Sequence, residues 1–109
     1  MEIKKELSIL IVEDDLEDLF FTRRALDRSG AFHLRIEHAS SLSDALNKLD
    51  FYPFGVVLVD LFLPDSSGIE SFKIIREKVP EIPVIILTGA NDDGLVKSRF
   101  STIFVTVTY

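Results

Sequence analysis

Phe54-Gly55-Val56-Val57-Leu58-Val59-Asp60 is a nearly unbroken apolar run that stops on a carboxylate. Rich in Val and too short for an ordinary helix, it reads as a strand of a parallel sheet covered on both faces. Leu7 to Val12, which runs into Glu13-Asp14-Asp15, and Val84 to Leu87, which runs into Thr88, have the same character. Phe32 to Ile36 instead alternates, with His33 and Arg35 between Phe32, Leu34 and Ile36. Thr102 to Tyr109 alternates around Ile103, Val105, Val107 and Tyr109. Alternation suits the edges of such a sheet.

Helical patterns separate the strands. Leu42, Ala45, Leu46 and Leu49 follow the spacing of one helix face, and Ser41 with Asp44 resembles a capping box. A first helix is expected from about Leu16 to Ser29, capped by Asp14 or Asp15 and stopped by a left-handed Gly30. A third follows Ser67 and Gly68, buries Ile69, Phe72, Ile75 and Val79, and ends at Pro80. With a fourth helix before the last strand, the order is β-α-β-α-β-α-β-α-β. Right-handed crossovers then predict a single α/β domain over residues 1–109. It is a flavodoxin-like, doubly wound, five-stranded parallel sheet of order 2-1-3-4-5.

Composition restricts the function. A chain of 109 residues that is 47% hydrophobic, with nine Phe, has room for one domain with a real core and is expected to fold. Eighteen acidic against 12 basic residues give a net charge of −6, and no Lys/Arg cluster is present to neutralise a run of phosphates. Direct nucleic-acid binding is not expected. Without cysteine there is no disulfide framework and no thiolate metal site. The apolar runs are far shorter than a membrane span and Met1-Glu2-Ile3-Lys4-Lys5 lacks a signal-peptide core, so no membrane association and a cytoplasmic location are expected.

In this topology the first and third strands are neighbours whose connections leave in opposite directions, which opens a crevice at their carboxyl ends. Glu13, Asp14 and Asp15 end the first strand and Asp60 ends the third. Adjacent strands lie about 4.8 Å apart, so Glu13 or Asp14 is expected near Asp60. Carboxylates that close need a cation, and all-oxygen ligation suits Mg²⁺. Such an ion also lets an anionic carboxylate attack an anionic phosphoryl group. Thr88, at the end of the fourth strand, places a hydroxyl at the same crevice to bond a phosphoryl oxygen, and Gly89 leaves room for the group. Pro64 and Gly68 shape a loop that carries the carbonyl of Phe62 toward the metal.

Three segments together, Ile9-Leu10-Ile11-Val12-Glu13-Asp14-Asp15, Val59-Asp60-Leu61-Phe62-Leu63-Pro64 with Gly68, and Pro83 to Thr88-Gly89-Ala90, carry a family likeness. From about residue 7 to residue 93 the chain resembles the receiver domain of two-component response regulators. The resemblance implies phosphorelay signalling, with Asp60 as phosphoacceptor and a sensor histidine kinase or phosphotransfer protein as partner. It implies that Glu13 and Asp14 hold Mg²⁺ with Asp60 and the Phe62 carbonyl, and that Thr88 is the switch hydroxyl. Glu at the first acidic position implies a water-mediated or slightly displaced contact, while Asp15 reads as a helix cap.

Receivers continue into a fifth strand ending in Lys-Pro and then a fifth helix. By that spacing the Lys is expected at or just beyond Tyr109, and Gly94 to Tyr109 departs from the family sequence. Lys97 falls inside the fourth helix and does not replace it. The C-terminal part is thus expected to be truncated or atypical, with homo-oligomerisation through the exposed C-terminal strand region. The alternative function is a degenerate or truncated receiver that acts as a phosphorylation-independent interaction module. A phosphatase or phosphotransferase with an Asp nucleophile usually adds an Asp two residues on, where this chain has Phe62, so the chain is not expected to be an enzyme. His33 and His38 are expected to be solvated. Phe20, Phe21, Phe72 and Leu46 are expected in the core or half-buried.

Overall fold

The computed structural model describes residues 5–30, 33–60, 62–88 and 102–104, with Ser29, Thr88 and residues 102–104 described by backbone alone. The elements run β1 (Glu6–Val12), α1 (Leu16–Ser29), β2 (His33–Ala39), α2 (Leu42–Phe51), β3 (Val56–Asp60), β4 (Phe62–Leu63), β5 (Ser66–Ser67), α3 (Gly68–Lys78), β6 (Val84–Thr88) and β7 (Thr102–Phe104). One sheet has the order β2-β1-β3-β6-β7, and β4 and β5 form a separate two-stranded ribbon.

The apolar runs occupy the interior of the sheet for the reason their composition indicated. Along β1, Leu10 and Val12 join Val57 and Val59 of β3 on the face covered by Leu42 and Ala45 of α2 and Ile75 of α3. Ile9 and Ile11 join Leu58 and Leu87 on the other face, under Leu19 and Leu26 of α1. Successive side chains of one strand therefore enter two different cores, and both faces favour apolar residues. Each fully buried Leu, Ile or Val contributes about 1.5–3 kcal/mol. β2, with a half-buried alternation, lies at the edge.

The helix boundaries follow the capping residues. The Asp15 carboxylate accepts from the N–H groups of Glu17 and Asp18 at 2.9 and 3.1 Å, and α1 stops at Gly30 with φ of 64°. Ser41 Oγ accepts from Asp44 N at 3.1 Å, while the Asp44 carboxylate reaches back to Ser40 N rather than to Ser41 N. α3 ends at Lys78, two residues before Pro80.

Three expectations need correction. The strand order and the four parallel strands β2-β1-β3-β6 are as expected, but the last strand pairs with β6 antiparallel, Leu87 opposite Ile103 and Thr88 opposite Thr102. A parallel crossover needs a dozen or more residues and usually a full helix, whereas residues 89–101 are barely that long. Ile69 is 63% exposed, because α3 turns Gly68, Ser71 and Ile75 inward, with Phe72, Ile74 and Val79 packed against the core beside them, and Ile69 falls outside that stripe. Phe20 is 54% exposed, since Leu19 and Leu26 define the inward stripe of α1 and the next residue points about 100° away. The fourth helix, Gly89, Lys97 and the strand beyond Phe104 lie outside the described residues.

Candidate functional site

The register of β1 against β3 builds the site. The pairs Ile9–Val56 through Val12–Val59 are parallel, so the next residue of each strand, Glu13 and Asp60, emerge side by side at the carboxyl edge. Asp60 also stands opposite Leu87 of β6, which places the backbone of Thr88 one residue past it. The Thr88 hydroxyl lies outside the described residues.

Carboxylate oxygens of Glu13, Asp14 and Asp60 all lie within 4.8 Å of one another. Glu13 is 3% exposed and Asp60 2%, whereas Asp14 faces solvent. Three like charges at this spacing in a buried crevice repel strongly, and the donor set is the hard, all-oxygen one that suits Mg²⁺. Ligands on opposite sides of a Mg²⁺ ion at about 2.1 Å are about 4.2 Å apart. The observed spread is only slightly wider, so the three carboxylates fit such an ion. Asp15, which caps α1, does not belong to the cluster.

The backbone around Glu13 is fixed by neighbours that the sequence does not reveal. Glu13 N donates to Ala39 O at 2.8 Å, and Asp15 N donates to Glu13 Oε2 at 3.2 Å. His38 Nε2 lies 2.6 Å from the Glu13 carbonyl oxygen and donates to it. Lys48 Nζ in turn donates to His38 O and lies 3.3 Å from the Asp44 carboxylate. His38, expected to be solvated, is therefore half-buried and clamps the end of β1 to β2, while His33 is exposed. Only the register of β1 on β2, with Ile11 opposite His38, makes this contact legible.

The β4–β5 ribbon begins two residues after Asp60, with Phe62 facing Ser67 and Leu63 facing Ser66 across the turn Pro64-Asp65. Phe62 is 56% exposed, and with Ile69 it borders an open, mostly apolar depression of about 670 Å³. At the tip of the ribbon, Asp65 accepts from Leu42 N at 2.9 Å and Ser43 N at 3.0 Å, one bond to each carboxylate oxygen. The Leu42 N–H first, then that of Ser43, hold its carboxyl below the ordinary value of 3.8. An Asp after Pro reads in sequence as a turn former. Its partners lie on a helix far away in the chain, which is why sequence reasoning missed it.

A family model, the response regulator receiver domain, matches residues 9–102. Among curated proteins, the chain is 36% identical over 85 residues to the DNA-binding transcriptional regulator NtrC of Proteus hauseri. That match covers 78% of this chain and 17% of that protein. Among solved structures, the MaeR response regulator bound to beryllium trifluoride superimposes with a TM-score of 0.69 and 33% identity, over 80% of this chain and 70% of that one. A CheY-like receiver domain from Methanospirillum hungatei gives a TM-score of 0.66 and 30% identity, over 83% and 70%. The chain thus spans under a fifth of the NtrC relative and most of the receiver it resembles structurally. Among the described residues, no helix is long and apolar enough to cross a membrane.

Proposed function

Since the chain belongs to the response regulator receiver family, we propose that it acts in a phosphorelay by accepting a phosphoryl group on Asp60. The observation that carries this reading is the convergence of Glu13, Asp14 and Asp60 within 4.8 Å at the end of the β1–β3 pair. The donor is a phosphohistidine on a sensor histidine kinase or phosphotransfer protein. An Asp60 carboxylate oxygen attacks phosphorus and the P–N bond breaks. Its electron pair stays on the donor imidazole nitrogen, which leaves as neutral histidine once protonated. The product is an acyl phosphate on Asp60.

Glu13, Asp14, Asp60 and the Phe62 carbonyl are the groups that would hold Mg²⁺. When bound there, the ion supplies positive charge that offsets repulsion between nucleophile and phosphoryl oxygens. The remaining work belongs to the protein. Burial of Asp60 at the strand end fixes the nucleophile and limits water around the acyl phosphate, and the exposed Asp14 side leaves a path for the donor. Thr88 takes the role of switch hydroxyl, bonding a phosphoryl oxygen. No external substrate is turned over, and the reading places the domain in the cytoplasm.

The test is incubation with Mg²⁺ and beryllofluoride, read by ¹⁹F NMR. A bound signal that disappears in Asp60→Asn is the expected result. A folded wild-type protein that gives no adduct refutes the reading and leaves a phosphorylation-independent interaction module.

A further inference from the structure

We propose that Asp65 is a positioning residue for the phosphoacceptor site: by bonding the first turn of α2 it moors the β4–β5 ribbon and so holds Phe62 in place beside Asp60. The inference rests on the metal-binding reading above and names a residue outside the acidic cluster that supports it.

The ribbon has two residues in each strand, and among the described residues β4 and β5 pair only with each other. A two-stranded ribbon of that size is marginal by itself. One end of it, Phe62, stands two residues after Asp60 in the chain. The other is Ser67, which caps α3 by accepting from Glu70 N at 3.4 Å and whose carbonyl accepts from Ser71 Oγ at 2.9 Å. The tip requires a third support, and Asp65 supplies it with both carboxylate oxygens.

The post to which the tip is tied is itself immobile. Leu42 is buried in the core formed with Val12, Val57 and Val59, and Ala45 N donates to Ser41 O at 3.0 Å. α2 also has its own cap, since Ser41 Oγ satisfies Asp44 N. Asp65 is therefore not needed to start the helix. Its bonds go to the two preceding N–H groups, which no residue of the helix can satisfy. Because Phe62 and Leu63 pair directly with Ser67 and Ser66, a displacement at the tip is transmitted to Phe62, whose carbonyl is assigned to the ion.

Two substitutions at the same helix end separate positioning from stability. Asp65→Ala and Ser41→Ala each remove one side-chain cap of α2, but only the first releases the ribbon. Mn²⁺ binding followed by electron paramagnetic resonance is the readout, with salt on the order of 0.5 M so that the lost charge is screened within a few ångströms. Asp65→Ala should weaken Mn²⁺ binding by about tenfold, the lower end of the effect of residues that support metal ligands. Asp65→Asn, which keeps one acceptor oxygen, should fall between it and the wild type. Ser41→Ala should bind as the wild type does while its thermal midpoint drops comparably. If Asp65→Ala fails to fold, the comparison of Asp65→Asn with Ser41→Ala decides. Wild-type affinity in the Asp65 variants, or equal weakening in Ser41→Ala, overturns the proposal. A wild-type protein that does not bind Mn²⁺ overturns the metal-binding reading itself, and the proposal with it.

Discussion

Replacing Asp60 with Asn should make the metal-free protein more stable while abolishing its proposed chemistry. The carboxylates of Glu13 and Asp14 come within 4.8 Å of Asp60. At that distance each pair of unit charges repels by about 3.5 kcal/mol at an effective dielectric constant of about 20. Exposure of Asp14 and relaxation of the crevice reduce the net effect, so the expected gain is about 1–3 kcal/mol. For a domain of this size that corresponds to about 4–8 °C in Tm per kcal/mol. Urea or thermal unfolding of both proteins in EDTA measures it. Adding Mg²⁺ at about ten times its dissociation constant should then raise wild-type stability by about 1.4 kcal/mol and raise Asp60→Asn by much less, which narrows the gap. Asp60→Asn no more stable than wild type in EDTA, or an equal Mg²⁺ increment in the two proteins, would refute the electrostatic account of the site.

Asp65 gives the protein an acid-sensitive joint. Because the N–H groups of Leu42 and Ser43 lower its folded pKa, its contribution is fully present above the unfolded value near 3.8 and is lost as pH falls through the lower, folded value. Urea titrations of wild type and Asp65→Ala should therefore differ at pH 7 and converge below pH ~3.8; a gap independent of pH would contradict this. On α1, the exposed Leu16 and Phe20 form an i, i+4 apolar pair immediately after the acidic cluster. Phe20→Ala should slow transfer from a phosphohistidine protein severalfold and leave labelling by a small acyl phosphate unchanged, and equal loss with both donors counts against a docking role. Gly30→Ala should cost about 1–2 kcal/mol in a chemical denaturation curve, because a side chain is unfavourable in the left-handed region and Gly30 has φ of 64°.

The parts of the fold legible in the sequence are those in which one residue type has one plausible job. Valine-rich runs such as Val56 to Val59 mark interior strands because both faces are covered. Asp15, Ser41 and Gly30 mark helix ends because each satisfies or relieves the backbone locally. The neighbourhood of Glu13 and Asp60 follows from strand order alone. What was not legible depends on long-range register or on where a helix meets the sheet. The antiparallel direction of β7 is set by pairing with β6, the exposure of Ile69 by which face of α3 meets the core, and the His38 contact by the alignment of β2 on β1. Asp65 is the clearest case, since a turn residue and a cap for a distant helix are the same carboxylate seen at two ranges.

The register of β1 on β3 also makes the acidic pocket a folding checkpoint. Glu13 follows β1 and Asp60 ends β3, strands separated by a helix, a second strand and another helix, so the carboxylate cluster does not form in the unfolded chain or in a chain whose two central strands have slipped by one residue. A slip of one residue would also turn each strand's alternating side chains toward the wrong core. On the proposed reading, divalent-ion binding would be linked only to the correctly aligned sheet, and its free energy would appear as stabilisation of that alignment. As the chain is synthesised, β1 emerges with β2 as its first available neighbour, and the pocket closes only once residue 60 has joined the sheet on the opposite side.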